Sequence, residues 1–255
     1  MPSQTAQRVG SKLTGSEVAG LLSFMSTRVL GQYELAPGRP AQAARLLLVA
    51  PNIVATEREL GVDPADFRLW VCLHEETHRV QFTAVPWLRE HMLTRTDDLA
   101  RELAPDVDQV LTRLKLVATN APEALRSGGT GIAGLFLTPE QKEHLARTTA
   151  VMSLLEGHAD VVMDEVGPKV VPSVGQIRAL FERRRDGLGV FDIVVRRLLG
   201  LEAKMLQYRN GAAFVRGVVD RVGMDGFNAV WTSPQTLPTP AELADPGAWI
   251  ARVHG

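Results

Sequence analysis

The chain has 255 residues, 45% of them hydrophobic and 22% charged, which is enough to bury a full core as one large domain. Its 28 Lys and Arg against 29 Asp and Glu leave a net charge of -1, which excludes the strongly basic field of a nucleic-acid or anionic-membrane binder. The single cysteine, Cys72, cannot close an intramolecular disulfide, no run nears the ~18 apolar residues of a spanning helix, and the opening "MPSQTAQRVGSKLTGSE" lacks the apolar core of a secretory signal.

A soluble, cytoplasmic protein with no nucleic-acid or membrane partner is therefore expected. Residues 1–13 are expected to be disordered. Thr14 and Glu17 then have capping-box spacing, and Val18, Leu21, Leu22, Met25 and Val29 repeat at helical intervals up to Gly31, which reads as a helix stop. Past a Pro/Gly-containing segment, "RLLLVAPNIV" is short, aliphatic and closed by Pro51, which suits a strand. Asp63 followed by Pro64 predicts a helix running to about Thr83. Pro86 opens another, and "PDVDQVLTRLKLVAT" a third.

The glycine-rich stretch around 127–134 is expected to form a mobile loop. Thr138, Pro139 and Gln141 then start a long helix that Gly167 can end. Beyond Pro172, "SVGQIRALFERRR", the stretch from Val190 to Gly223, and the tail "TPAELADPGAWIARV" all read as helix. Without an internal repeat, residues 1–255 are expected to form a single domain, mainly α with a small β-sheet.

Within the helix after Pro64 lies "LHEETHRV": His74, Glu75, Glu76, Thr77 and His78, an HExxH pattern. Residues four apart on a helix differ by about 40° in direction, so both imidazoles leave one face and can converge on one ion. Glu75 follows His74 by about 100°, which puts its carboxylate beside the metal position, where it can accept a proton from water. Glu76 and Cys72 point elsewhere. The surrounding Leu69, Trp70, Val71, Leu73, Val80 and Phe82 would make an unpartnered His-Glu-His set costly to bury, and a metal removes that cost.

A catalytic zinc usually takes three protein ligands, so one more donor is needed. Gln81 and Ala84 stand where a metzincin needs Gly and His, which excludes that class. "LLEGHADVV" offers Glu156 and His158, about 200° apart on a helix and so unable to meet one ion together. Asp160 favours Glu156: it shares that face and could hold the outer N–H of a ligating histidine. Zn2+, one ion bound by His74, His78 and Glu156 between two core helices, is the expected cofactor, with Asp160 orienting a histidine.

HExxH on one helix and ExxxD on a later one resemble the gluzincin metallopeptidases, and "EGHAD" is similar to the ExxAD form of prenyl-endopeptidase-like members. The longer segments "LGQYELAP", "LLLVAPNIVATERELGVDPADFRLWVCLHEETHRVQFTAVPWLREHM" and "LEAKMLQYRNGAAFV" resemble a bacterial family of zinc-dependent hydrolases, some named as coenzyme F420 biosynthesis-associated proteins. The resemblance spans roughly Gly15 to Val222. It implies a zincin-like fold, the same three ligands, Glu75 as general base and a peptide or other amide substrate. Tyr208 and Arg209 are the candidates to stabilise an oxyanion, with His158 third. The competing reading is a non-catalytic, zincin-like accessory or binding protein in a cofactor pathway. Intact Glu75 favours the enzyme, because a structural site has no use for a proton acceptor beside its metal.

Overall fold

A polar cap followed by proline starts four of the eight described α-helices, at Asp63, Thr138, Thr239 and Asp245. A computed structural model describes residues 26–35, 44–103, 138–186 and 201–255, with side chains except at 182, 184–186 and 201–210. In chain order these form strands β1 (Gly31–Tyr33) and β2 (Leu46–Leu48) and helices α1 (Ala50–Leu60), α2 (Pro64–Ala84), α3 (Pro86–Leu103), α4 (Pro139–Val170), α5 (Val174–Asp186), α6 (Leu201–Phe227), α7 (Pro240–Ala244) and α8 (Pro246–His254). Two 3-10 turns, Asn228–Trp231 and Pro234–Thr236, join α6 to α7. The expected mainly helical fold with a small sheet is the one observed.

Asp63 caps α2 by accepting the Asp66 N–H at 2.9 Å. Thr138 and Gln141 cap α4 reciprocally, Gln141 N–H to Thr138 Oγ1 at 3.2 Å and Thr138 N–H to Gln141 Oε1 at 2.9 Å. These two starts fix the phase of the two helices that carry the HExxH and Glu156 segments.

Other boundaries differ from the sequence expectation. Gly31 does not stop a helix but opens β1, which pairs antiparallel with β2 in the register Gly31 with Leu48 and Tyr33 with Leu46. The predicted strand around Leu46–Leu48 is short because Pro51, having no N–H to give a ladder, sits instead in the first turn of α1. Gly167 does not end α4: the helix passes through Pro168 to Val170, closed by the Val171 N–H on the Gly167 carbonyl at 2.7 Å. Of the long helix expected from Val190 to Gly223, residues 190–200 lie outside the described residues; from Leu201 it continues to Phe227 across a break at Gly223, whose φ of 72° only glycine adopts readily. The helices expected before Ser26 and after Pro105, the disordered 1–13 and the loop 127–134 lie outside the described residues. Among those described, no helix is long and apolar enough to cross a membrane.

Two apolar clusters form the interior. Ile53, Phe67, Val71, Val171 and Ile177 make one, joining α1, α2, the end of α4 and α5. Phe82, Leu88, Leu154, Leu155, Phe214, Val218, Phe227 and Trp249 belong to the larger one. Helix α2 feeds both: Phe67 and Val71 enter the first, Phe82 the second, and the HExxH residues lie between. The apolar surface removed from water on either side, worth about 25 cal/mol per Å², clamps the polar segment in place.

Helix α4 packs most extensively on α6, and at one point the two backbones touch. A Cβ added to Gly157 would lie 2.1 Å from the Gly211 carbonyl carbon, and one on Gly211 would lie 1.9 Å from the Ser153 oxygen. Only glycine fits at either position. Gly157→Ala is therefore expected to lower stability by about 1–3 kcal/mol or more by overpacking, read as a reduced urea midpoint at unchanged helix content. Full retention of stability would contradict the contact.

Candidate metal centre

The capped start of α2 rotates His74 and His78 toward α4, while the glycine contact behind α4 holds Glu156 toward α2. His74 Nε2 and His78 Nε2 lie 3.3 Å apart. Glu156 Oε2 is 3.5 Å from His74 Nε2, and its Oε1 is 3.5 Å from His78 Nε2. Three ligands on a tetrahedron with bonds of about 2.0–2.1 Å sit about 3.3–3.4 Å from one another; the two nitrogens have that spacing, and one donor atom from each of the three residues lies within 4.8 Å of the others, a cluster that could hold a metal ion. Two neutral-nitrogen donors and one carboxylate are also a donor set that zinc takes readily. The residues present fit the ion.

The electrostatics agree with a site built for positive charge. Burial alone would raise the Glu156 carboxyl, yet hydrogen bonds to His74 and His78 hold it far below the usual carboxylate range. Burial opposes a proton on His78, but hydrogen bonding and attraction to Glu156 outweigh it and raise the imidazole above its ordinary value.

Glu75 leaves the helix on the side of β1. It is buried, 6% exposed, and its Oε2 has no hydrogen-bond partner. Burial raises its carboxyl above the usual range, against the opposing charges of the two histidines. Gly31 makes room for it: a Cβ there would lie 2.8 Å from Glu75 Cγ and 2.9 Å from its Cδ and Oε1. Trp70 stacks one turn before His74, with ring centroids 6.3 Å apart, and Phe181 packs on Trp70 at 5.3 Å, walling one side. Glu76 points outward and pairs with Arg79, as its position on the helix requires.

Asp160 does not orient a ligating histidine. It pairs with Arg178 of α5 at 3.2 Å, in a cluster where Arg178 and Arg216 of α6 both meet Asp164. Four residues along a helix rise about 6 Å, which carries Asp160 past the imidazoles to the level of α5. The group on His78 Nδ1 is instead the Gln81 carboxamide, whose Oε1 lies 2.9 Å away. Gln81 Nε2 donates to the Leu155 carbonyl at 2.9 Å and lies 3.0 Å from His158 Nδ1. His158 stacks on Phe227, with centroids 5.6 Å apart, and meets the Trp231 edge. Burial, aided by the charge of His78, pushes its pKa down to about 4. Tyr208 and Arg209 lie on α6, and their side chains are outside the described set.

A family model for zincin-like metallopeptidases matches residues 1–250. The chain belongs to the zincin-like metallopeptidase family. A crystal structure from Chloroflexus aurantiacus, described as "a putative hydrolase with a novel fold", is similar to the chain at 35% identity and a TM-score of 0.66, covering 97% of this chain and 71% of that one. No curated protein matches it. Membership in this family implies a metal, usually zinc, and the triangle of His74, His78 and Glu156 is where this member can hold it.

The sequence reading missed the positions of Gln81 and Gly31. Gln81 carried a signal, being an amide three residues after His78 on the same face of an apolar helix. Gly31 carried none, because its role depends on a strand meeting a distant helix.

Two outcomes are expected. Gly31→Ala should leave zinc binding intact while displacing the Glu75 carboxylate, and a displacement of ~1 Å at a reacting group lowers a rate on the order of 10²-fold; zinc titration and rate assays read the two effects separately. The second concerns pH. In the metal-free protein the depressed Glu156 contributes stability that is lost as pH falls through its folded value, and the raised His78 contributes stability that is lost as pH rises through its own. The pair stabilises most between the two, whereas zinc needs His78 deprotonated. The rise in Tm on adding zinc should thus grow from roughly pH 5.5 to roughly pH 8, and a pH-independent increment would contradict the assigned ligands.

Proposed function

We propose that the protein is a zinc-dependent peptidase or amidase of the gluzincin type, with Glu75 as general base. The observation that carries this reading is the unpartnered, buried Oε2 of Glu75 beside the cluster of His74, His78 and Glu156, whose donor atoms could hold a metal ion. Leaving a buried acceptor unsatisfied costs about 1–3 kcal/mol, and a purely structural metal site gains nothing from it. A zinc ion held by His74, His78 and Glu156 supplies Lewis acidity, lowering the pKa of water and polarising a carbonyl.

The residues of the chain do the rest. Glu75, with its carboxyl raised by burial, is a stronger proton acceptor than an exposed carboxylate, and it can return the proton to a leaving amine. Trp70 and Phe181 line the His74 side with aromatic surface. Strand β1 supports an amide substrate. Leu30 and Glu34 bond to β2, so by the alternation of an antiparallel ladder the backbone groups of Gly31 and Tyr33 face the opposite edge, with Gly31 against Glu75. An extended peptide could pair there. Tyr208 and Arg209 are the proposed oxyanion donors on the sequence alone. The accessory reading in a coenzyme F420 pathway rests on the resemblance alone.

Metal analysis and peptide-library cleavage test the proposal. Wild-type protein should bind one zinc and cleave, Glu75→Gln should keep zinc and lose cleavage, and Glu156→Ala should lose zinc affinity. Zinc bound with no turnover of any peptide would favour the accessory role.

A further inference from the structure

Gln81 is 4% exposed and reaches three groups on two helices. Its amide orientation follows from chemistry. The Leu155 carbonyl can only accept, so the amide corner 2.9 Å from it must be the nitrogen. That nitrogen has two hydrogens, one for Leu155 and one directed at His158 Nδ1, 3.0 Å away. The remaining corner is the oxygen, 2.9 Å from His78 Nδ1, and an oxygen there requires that Nδ1 carry a hydrogen. Flipping the amide would set two carbonyl oxygens against each other at the Leu155 corner.

We infer that Gln81 is the positioning residue of the metal centre: it fixes His78 as the Nδ1–H tautomer, leaving the Nε2 lone pair for the ion, and fixes His158 as the Nε2–H tautomer. The inference deepens the zinc reading proposed above. Because Leu155 immediately precedes Glu156, the same amide also braces the backbone of the third ligand against the ring of the second. It thus sets the spacing between α2 and α4 where the donors meet. A carboxylate in this place would add negative charge to the ligand histidine, whereas a carboxamide gives direction without charge and leaves a bound cation more electrophilic.

Nitrogen-15 histidine spectra of the metal-free wild-type protein, recorded above the imidazole titration range, test the tautomers directly, because Gln81 at 2.9 Å and the Glu156 carboxylate at 3.5 Å then compete for the one hydrogen of His78 from opposite ends of the ring. His78 should show Nδ1–H and His158 Nε2–H. Zinc affinity by chelator competition is then compared for wild type, Gln81→Met and Gln81→Glu. Gln81→Met should bind zinc about 10–100-fold more weakly, with helix content retained and a mixed His78 tautomer. Gln81→Glu keeps an acceptor for His78 but sets an oxygen against the Leu155 carbonyl, so it should retain the Nδ1–H signal while losing the brace on α4 and lowering stability. The inference is overturned by a wild-type His78 protonated on Nε2, or by folded Gln81→Met binding zinc within about twofold of wild type. If Gln81→Met does not fold, the wild-type spectrum decides alone. Wild-type protein with the expected tautomers but no zinc affinity would remove the zinc reading and leave the amide assignment standing.

Discussion

Two imidazole nitrogens from one helix meet the two oxygens of a carboxylate from another at 3.3–3.5 Å, and most of what is distinctive in the described residues serves that meeting. Two imidazoles and a carboxylate are unfavourable neighbours in an apolar interior unless something positive lies among them. The chain tolerates them by leaving all three partly exposed and by anchoring α2 in a hydrophobic cluster on either side, so burial at both ends holds the polar segment in place. The positional precision comes from below, where α4 rests directly on the backbone of α6 at Gly157 and Gly211.

The parts of the fold that were legible in the sequence are those governed by short-range rules. Asp63 with Pro64 and Thr138 with Pro139 and Gln141 announce α2 and α4 because caps and proline act within one turn. The clustered donors were legible in part for a similar reason: helical spacing shows which of His74, Glu75 and Glu76 share a face, and that Glu156 and His158 cannot both join them, but the preference for Glu156 rested on Asp160, which the structure pairs with Arg178 instead. What failed were predictions that needed tertiary context. Gly31 looked like a helix stop because glycine at the end of an apolar run usually is one, and only the approach of β1 to Glu75 gives it another use.

Asp160 and Gln81 show how a sound local argument can choose the wrong partner. Both lie on the correct face relative to a ligand, Asp160 one turn past Glu156 and Gln81 three residues past His78. A carboxylate is the commoner support for a ligating histidine, so the sequence favours Asp160. The decision was made by a residue far along the chain, Arg178, whose guanidinium takes the carboxylate into an ion-pair cluster joining α4, α5 and α6. The histidine was left to the amide.

The bare contact between α4 and α6 has a consequence for how such a protein can change over generations. Where helices are separated by side chains, each exchange of a leucine for a valine nudges the axes, and a distant ligand drifts with them. Here main chain rests on main chain, a stop that no neighbouring substitution can thicken or thin. The surrounding core is free to vary while the carboxylate beside Gly157 keeps its address, and the chemistry is insulated from the slow turnover of the residues that bury it.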